Sequence, residues 1–428
     1  ITRLMDKGRF FMSISLKNKK ILGINGSGRI GKLTLWNQLS LKHFDGIVIN
    51  AGREVGRNID DIIQYFTVDS TYGPLDKFLY GYSGKGCDIK VIDSEDAHFE
   101  IDGMSIKVLK KARNPKDIDW AKEGVRLVVD CTGTFLDPTL PVDYPKGSLR
   151  GHLEAGAEKV IVSAPFKIKE SSKKMASDSG MFVYGVNHSD YDPMNHHIIS
   201  AASCTTTGLA HMMKPLLDAE ETSKIITASM STVHAATNNQ NILDAAPKAG
   251  SKDLRRNRSV FNNIILTSTG AAIALEEILP DIQKVGFMAD SIRVPTSTVS
   301  LISLNITFRT ALTDKGEPVI NQEFINNLYK KAAAGSQKNL LVYSERQNVS
   351  SDLIGGLAAV VIEGCENHTR TGFLTIDAET LQSFGIDTNQ DISYPVTHAK
   401  IFGWYDNEYG CYVNCMGKLI KYVDKNML

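Results

Sequence analysis

"KKILGINGSGRIGKLTLWNQLS", residues 19–40, reads as a short apolar strand, a glycine-rich turn and a helical pattern. Gly26, Gly28 and Gly31 form G-x-G-x-x-G inside it. Glycines at that spacing permit a tight turn and a close backbone approach, so that a pyrophosphate can rest on the N–H groups opening the helix. A strand before the turn and a helix after it are the context the motif requires. A second strand is expected at "GIVIN", residues 46–50. Domains of this kind that select NAD carry an acid at the end of this strand, where it binds the adenine ribose. Here Ala51, Gly52 and Arg53 follow, with no carboxylate. A site without the acid tolerates a 2′-phosphate, with Arg53 or Arg57 to pair with it. The alternative is a different register, with Asp60 or another acid in that role. "VRLVVDCTG" (125–133) and "AEKVIVSAP" (157–165) read as further buried strands, and "LRGHLEAGA" as a helical segment between them. Strands alternating with helices predict a parallel sheet covered on both faces, its cofactor cleft lined by loops at the carboxyl ends of the strands.

A chain of 428 residues holds two or three domains, and its formal net charge is zero. With 42% hydrophobic and 22% charged residues the composition is that of a globular protein. No long basic run supports a nucleic-acid surface, and no apolar stretch reaches the length of a membrane span. The cysteines are Cys87, Cys131, Cys204, Cys365, Cys411 and Cys415, and their spacing does not suggest a zinc site. No metal is expected. Cys411 and Cys415, in the apolar "GCYVNCMG", read as reduced core thiols. So few cysteines in so long a chain suit a reducing, cytoplasmic setting. Residues 1–18 are expected to be an N-terminal extension, with Met12 a candidate start.

The chemistry is expected in "SAASCTTTG", residues 200–208, just ahead of the helical "LAHMMKPLLDA". A free cysteine is often only a small buried hydrophobe. At a helix N-terminus, however, the free N–H groups and partial positive charge favour the thiolate, which makes Cys204 a candidate nucleophile. It needs a base, and His234 at the end of "KIITASMSTVH" is the candidate; taken alone it reads as a satisfied structural histidine. Three further segments hold what anions bind: "KDLRRNR" (252–258), "LTSTGAA" (266–272) and "DSIRVPTSTVS" (290–300). Asn407 lies in a turn before a C-terminal helix, where it can cap or bind a carboxamide.

Taken in order, "GINGSGRIG", "VDSTYG", "VVDCTGTF", "VIVSAP", "YGVNH", "SAASCTTTGLA", "STVHAATNNQ", "DLRRNR", "STGAA", "RVPTSTVSL", "VSSD" and "WYDNEYG" resemble the phosphorylating glyceraldehyde-3-phosphate dehydrogenases, from about residue 20 to 423. The resemblance implies an α/β Rossmann nucleotide-binding domain (19–203 with 404–428) and an α+β catalytic domain (204–403) with a mostly antiparallel sheet. It further implies a homotetramer acting on a small phosphorylated aldehyde and inorganic phosphate. Cys204 then matches the nucleophile and His234 its activating partner. Ser203, Thr205, Thr269 and Gly270 match residues that bind the attacking phosphate. Thr237, Arg256 and Arg293 match those that hold the substrate's own phosphate, with Arg293 near both. Gly26, Gly28, Arg29, Ile30, Gly31, Ala51, Arg113, Ser163 and Asn407 match cofactor contacts.

The sequence departs from the family at several points. Ala201 and Thr207 stand where asparagine is usual, Asn239 where aspartate is, and Tyr72 where histidine is. Ala51 replaces the ribose-binding aspartate, and Ala245–Ala246 the Leu-Pro of NAD-specific members. The last two departures favour NADP over NAD. Extra residues are expected at 1–18, 136–147, 166–180 and 364–396, the last a polar surface insertion. The alternatives to glyceraldehyde 3-phosphate oxidation are an erythrose-4-phosphate dehydrogenase and a non-catalytic binding protein on the same scaffold.

Overall fold

The computed structural model describes residues 19–110, 112–170, 172–247, 249–251 and 253–427. The extension expected at 1–18 lies outside the described residues. The rest groups into two units, one made of the described residues up to Ser203 together with those from Val413, the other running from Cys204 to Tyr412.

The first unit is built on a nine-stranded sheet in the order β10-β11-β9-β8-β1-β2-β7-β6-β5. Its parallel part comprises β1 (Ile21–Asn25), β2 (Gly46–Asn50), β7 (Met104–Leu109), β8 (Val125–Asp130), β9 (Lys159–Val162), β10 (Ser179–Met181) and β11 (Ile198–Ser200). The strands β5 (Ile89–Asp93) and β6 (His98–Ile101) add an antiparallel edge. β1, β2 and β9 are buried along their whole length, as strands covered on both faces must be. β1 is flanked by β2 on one side and β8 on the other, so the strand order reverses there, and the loops leaving β1 and β8 diverge into a crevice. Helix α1 (Arg29–Leu41) follows β1 directly and buries Leu33, Leu35, Trp36 and Leu39. Helices α2 (Ile59–Thr67), α3 (Leu75–Tyr80) and α4 (Arg150–Glu154) follow, with a two-residue pair, β3 (Val68–Asp69) and β4 (Gly73–Pro74), between α2 and α3. The C-terminal helix α10 (Cys415–Asn426) packs on α1 so closely that a Cβ at Gly417 would stand 1.9 Å from Asn37 Oδ1.

The second unit carries an eight-stranded mixed sheet in the order β13-β14-β12-β15-β19-β17-β16, with β18 also on β19. The strands are β12 (Ile225–Ala235), β13 (Ile265–Ser268), β14 (Met288–Val294), β15 (Ser300–Arg309), β16 (Leu341–Ser344), β17 (Val360–Glu363), β18 (His368–Ile376) and β19 (Ile392–Tyr405). Only β12–β14 and β16–β17 pair in parallel. β15 alternates strictly, burying Ser300, Ile302, Leu304, Ile306 and Phe308. Over this face lies α5 (Cys204–Asp218), followed by the short α6 (Glu220–Ser223); α7 (Ala271–Ile278) and α8 (Gln322–Ala334) complete the cover. Glycines set the spacing of helix and sheet. A Cβ at Gly208 would lie 3.5 Å from Ile302 Cδ1 and from Tyr405 Cγ, and one at Gly403 only 2.5 Å from Met212 Sδ. The polar stretch expected as a surface insertion is largely a hairpin: β18 pairs with β19 from Ile376↔Ile392 to His368↔Lys400, with α9 (Ala378–Ser383) at its tip. Residues 404–412 belong with this unit because β19 runs to Tyr405 and Asp406 then accepts hydrogen bonds from Glu408 N, Tyr409 N and Gly355 N.

Candidate active site

Cys204 is the first residue of α5, and His234 lies near the end of β12. The structure places Cys204 Sγ 3.5 Å from His234 Nε2. The Ala235 carbonyl lies 2.8 Å from His234 Nδ1; the tautomer that carries its proton there has Nε2 bare toward the sulfur. Arg293 stands beside His234 because β12 and β14 pair in that register. Its Nη1 lies against His234 Nδ1 and donates to the Ala235 carbonyl at 3.1 Å.

Burial, with the Arg293 guanidinium adding to it, holds the His234 imidazole down at about 3. Burial raises the Cys204 thiol, against the opposing pull of Arg293 and of hydrogen bonds from Thr205. Both directions favour a neutral thiol beside a neutral imidazole. Burial of the sulfur thus opposes the pull toward thiolate expected from the helix N-terminus.

Arg293 is half-buried and its Nε has no hydrogen-bond partner; nor do the buried Thr267 Oγ1, Ser291 Oγ and Thr296 Oγ1. Thr267 pairs with Ser291 across β13 and β14. A guanidinium with an unsatisfied N–H fits an anionic ligand. Arg256 is near enough to lower the pKa of Arg293 and makes only a loose, exposed pair with Asp253 at 3.7 Å. Thr237 donates its hydroxyl to Gln240 Oε1 at 3.0 Å. Thr269 Oγ1 accepts from Ala271 N at 3.2 Å, and Gly270 is the N-cap of α7. Among the described residues, no hydrogen bond joins Thr237, Thr269 or Gly270 to the thiol–imidazole pair. Ser203 directly precedes α5, after Ala202 in the left-handed region at φ 56°.

Asn407 is buried, and its Oδ1 accepts from Ser300 Oγ at 3.0 Å. The Ser300 hydroxyl also accepts from Ala235 N at 3.1 Å, so one serine links the asparagine to the strand of His234. The residue before it, Val299, is held at φ 65°, a strained position for a β-branched side chain. The sequence reading passed over Ser300, Thr232 and Tyr405, the last with its ring edge-on to His234 at 6.0 Å. Only the run of hydroxyls in "TSTVS" marks Ser300 as more than a strand residue.

In the first unit Gly26 adopts φ 103° and its N–H donates to Asn50 O at 2.9 Å. A Cβ at Gly31 would stand 1.9 Å from Gly26 O, whereas one at Gly28 would meet nothing within 4 Å. Gly28 is the N-cap of α1 and supplies no side-chain cap, so the turn presents open space to the N–H groups of Arg29, Ile30 and Gly31. That is the cradle a pyrophosphate requires. The Arg29 side chain is engaged with Asp69. A cleft of about 450 Å³ beside the turn is lined by Ser27, Gly28, Ala51, Arg53, Asp61 and Tyr65, among others. Ala51 directly follows β2, so the register is the expected one, and Asp60 does not line the cleft. Arg57 is held by Asp61 at 3.0 and 3.2 Å, while Arg53 lines the cleft. Arg113 Nε donates to Gly52 O at 3.1 Å, and Ser163 hydrogen-bonds the Cys131 thiol on the neighbouring loop. Among the described residues no helix is long and apolar enough to cross a membrane, and no cluster of side chains could hold a metal ion.

The family model "Glyceraldehyde 3-phosphate dehydrogenase, NAD binding domain" matches residues 20–138, and "Glyceraldehyde 3-phosphate dehydrogenase, C-terminal domain" matches residues 203–407. Glyceraldehyde-3-phosphate dehydrogenase of Priestia megaterium is 34% identical over 403 residues, covering 94% of this chain and 97% of that protein. The Streptomyces coelicolor enzyme is 34% identical over 408 residues, 95% and 99% of the two chains, and glyceraldehyde-3-phosphate dehydrogenase 4 of Caenorhabditis elegans is 33% identical over 409, 95% and 98%. A nucleotide-binding unit and a thiol–imidazole unit, matched in order along nearly the whole chain, place this protein in the glyceraldehyde-3-phosphate dehydrogenase family of oxidoreductases.

Proposed function

We propose that the chain oxidises glyceraldehyde 3-phosphate to 1,3-bisphosphoglycerate, using NADP in preference to NAD. The reading rests on the Cys204–His234 pair at 3.5 Å with Arg293 against it. Cys204 attacks the aldehyde carbon as His234 Nε2 takes the thiol proton and passes it to the new oxyanion, giving a neutral hemithioacetal. When bound, the nicotinamide ring supplies a hydride acceptor for that carbon. His234 withdraws the hydroxyl proton in the same step, leaving a thioester on Cys204 and an imidazolium. Inorganic phosphate then displaces the sulfur, and the imidazolium returns its proton to the departing thiolate. Arg293, Arg256 and Thr237 hold the substrate's phosphate. Ser203, Thr205, Thr269 and Gly270 seat the attacking one. Asn407, its Oδ1 already taken by Ser300, has its amide N–H left to donate to the carboxamide oxygen of the ring.

Support for NADP comes from Ala51 and Arg53 lining the cleft, with Asp61 neutralised by Arg57. The test is a steady-state assay with glyceraldehyde 3-phosphate, with and without phosphate, comparing the two cofactors. Phosphate-dependent turnover with a higher kcat/KM for NADP is expected. Cys204→Ser should abolish it, and His234→Asn should slow it by about 10²–10⁴. A large NAD preference overturns the reading of Ala51. Product formation on erythrose 4-phosphate without phosphate moves the enzyme to the other substrate.

A further inference from the structure

Beneath the crevice of the first unit runs a line of buried polar side chains that the glycine turn does not account for. Trp120, His152, Asp130, Asn25 and Asn50 are each no more than 2% exposed. Asn25 ends β1, Asn50 ends β2 and Asp130 ends β8, so three neighbouring strands each contribute their last residue; His152 comes from α4. An indole N–H can only donate, and Trp120 Nε1 donates to His152 Nδ1 at 2.9 Å. That fixes the ring: its proton is on Nε2, which donates to Asp130 Oδ2 at 3.0 Å. Asn25 Nδ2 donates to the same oxygen at 2.7 Å, and its 3.4 Å approach to His152 Nε2 is that of two donors sharing one acceptor. Asp130 Oδ1 accepts from Thr132 N at 3.0 Å and Thr132 Oγ1 at 2.6 Å, which holds the loop after β8. On the other side Asn50 Nδ2 donates to Asn25 Oδ1 and to Ala112 O, both at 2.9 Å, and Asn50 Oδ1 accepts from Gly52 N at 3.3 Å. The bonds between side chains thus run from both ends toward the Asp130 carboxylate. A buried network satisfied in this way is rigid.

We infer that His152 is a positioning residue for the cofactor, acting through Asp130 on the loops that leave β1, β8 and β2. The loops after β1 and β8 meet backbone to backbone, since a Cβ at Gly26 would stand 3.1 Å from Thr132 N. The Asn50 branch ties the backbone on either side of the β2 exit, at Gly52 and at Ala112, the neighbour of Arg113. Trp120, His152 and Asp130 do not line the cleft beside the turn, so whatever they contribute to a bound dinucleotide is conveyed by these loops. Without the imidazole, Asp130 loses one of its four donors and the buried indole N–H loses its acceptor. The carboxylate is then free to turn, and the loops it holds lose their common anchor. The inference rests on the cofactor seat assigned to the first unit, and not on the choice between NAD and NADP.

The test is titration calorimetry of the full chain with ADP-ribose and with 2′-phospho-ADP-ribose, which carry the adenosine and pyrophosphate of the dinucleotide without its nicotinamide. His152→Phe is expected to weaken both probes alike, by about tenfold, as the loss of one buried hydrogen-bond partner implies. Alkylation of Cys204 by iodoacetamide, in the second unit, should keep its wild-type rate. Trp120→Phe should weaken both probes in the same direction. His152→Phe combined with Asn50→Ala should cost less than the product of the two single losses, because both interrupt one line. A merely structural role would lower the melting temperature and leave both affinities at the wild-type value. That result overturns the inference, as does a double variant whose losses multiply; if His152→Phe fails to fold, unchanged affinities in Trp120→Phe do the same. A wild-type chain that binds neither probe would remove the cofactor seat and this inference with it. A wild-type preference for ADP-ribose would overturn the reading of Ala51 and leave the role of His152 standing.

Discussion

Desolvation governs His234. It is buried between β12 and the guanidinium of Arg293, and its imidazole is held near 3 while an exposed histidine titrates near 6.5. The unfolded chain therefore binds this proton at a pH where the folded chain refuses it. The associated stability is fully present above pH 6.5 and drains away as the pH falls toward 3, at about 1.4 kcal/mol per pH unit. By pH 4 the loss amounts to about 3 kcal/mol, as an upper bound. Thermal melts of wild type and His234→Asn between pH 7 and 4 should thus converge, wild type losing more; parallel curves would show that the imidazole is not held neutral. Cys204 and His234 were readable as a pair only because a helix-opening cysteine and a strand-ending histidine each have a local signature. Their ionisation was not readable, since it depends on how much water the fold excludes. Tyr405 has no local signature at all. Its phenol reaches Thr232 across the intervening β15, and a contact two strands away leaves no trace in the spacing of residues.

Among the elements, the turn between β1 and α1 was the most legible. Its glycines are demanded by backbone geometry that any reader of the sequence can apply. The three have different duties. Gly26 supplies a conformation other residues resist, Gly31 lets the helix close against the turn, and Gly28 leaves the ligand's space open. Gly31→Ala should therefore force Gly26 O aside and weaken cofactor binding by at least about tenfold, measured by titration calorimetry, while the second unit keeps its Cys204 alkylation. Undiminished affinity would mean that the turn relaxes around the methyl group. The insertion at 364–396 was least legible. Its polar composition marks a surface insertion but not its form: nine residues of β18 find partners on β19, because pairing to an existing strand asks only for an extended backbone and not for an apolar face.

For the whole molecule, the sequence carried the two-part architecture, since each unit has its own strand pattern and its own chemistry. Assembly is a matter for solution. We expect a homotetramer by light scattering at micromolar concentration; a monomer that retains full turnover would remove this expectation. The hairpin of β18 and β19 also has a practical use. Its tip is closed by its own hydrogen bonds, from Ala378 N to Asp391 Oδ1 and from Gln382 Nε2 to Thr388 O, with α9 capped by Asp377. The exposed turn at Gly385–Ile386, before Thr388 takes part in that closure, is where a chain tolerates foreign sequence, so an epitope or a fluorophore acceptor peptide spliced there would report on this protein without touching the helix that bears its sulfur.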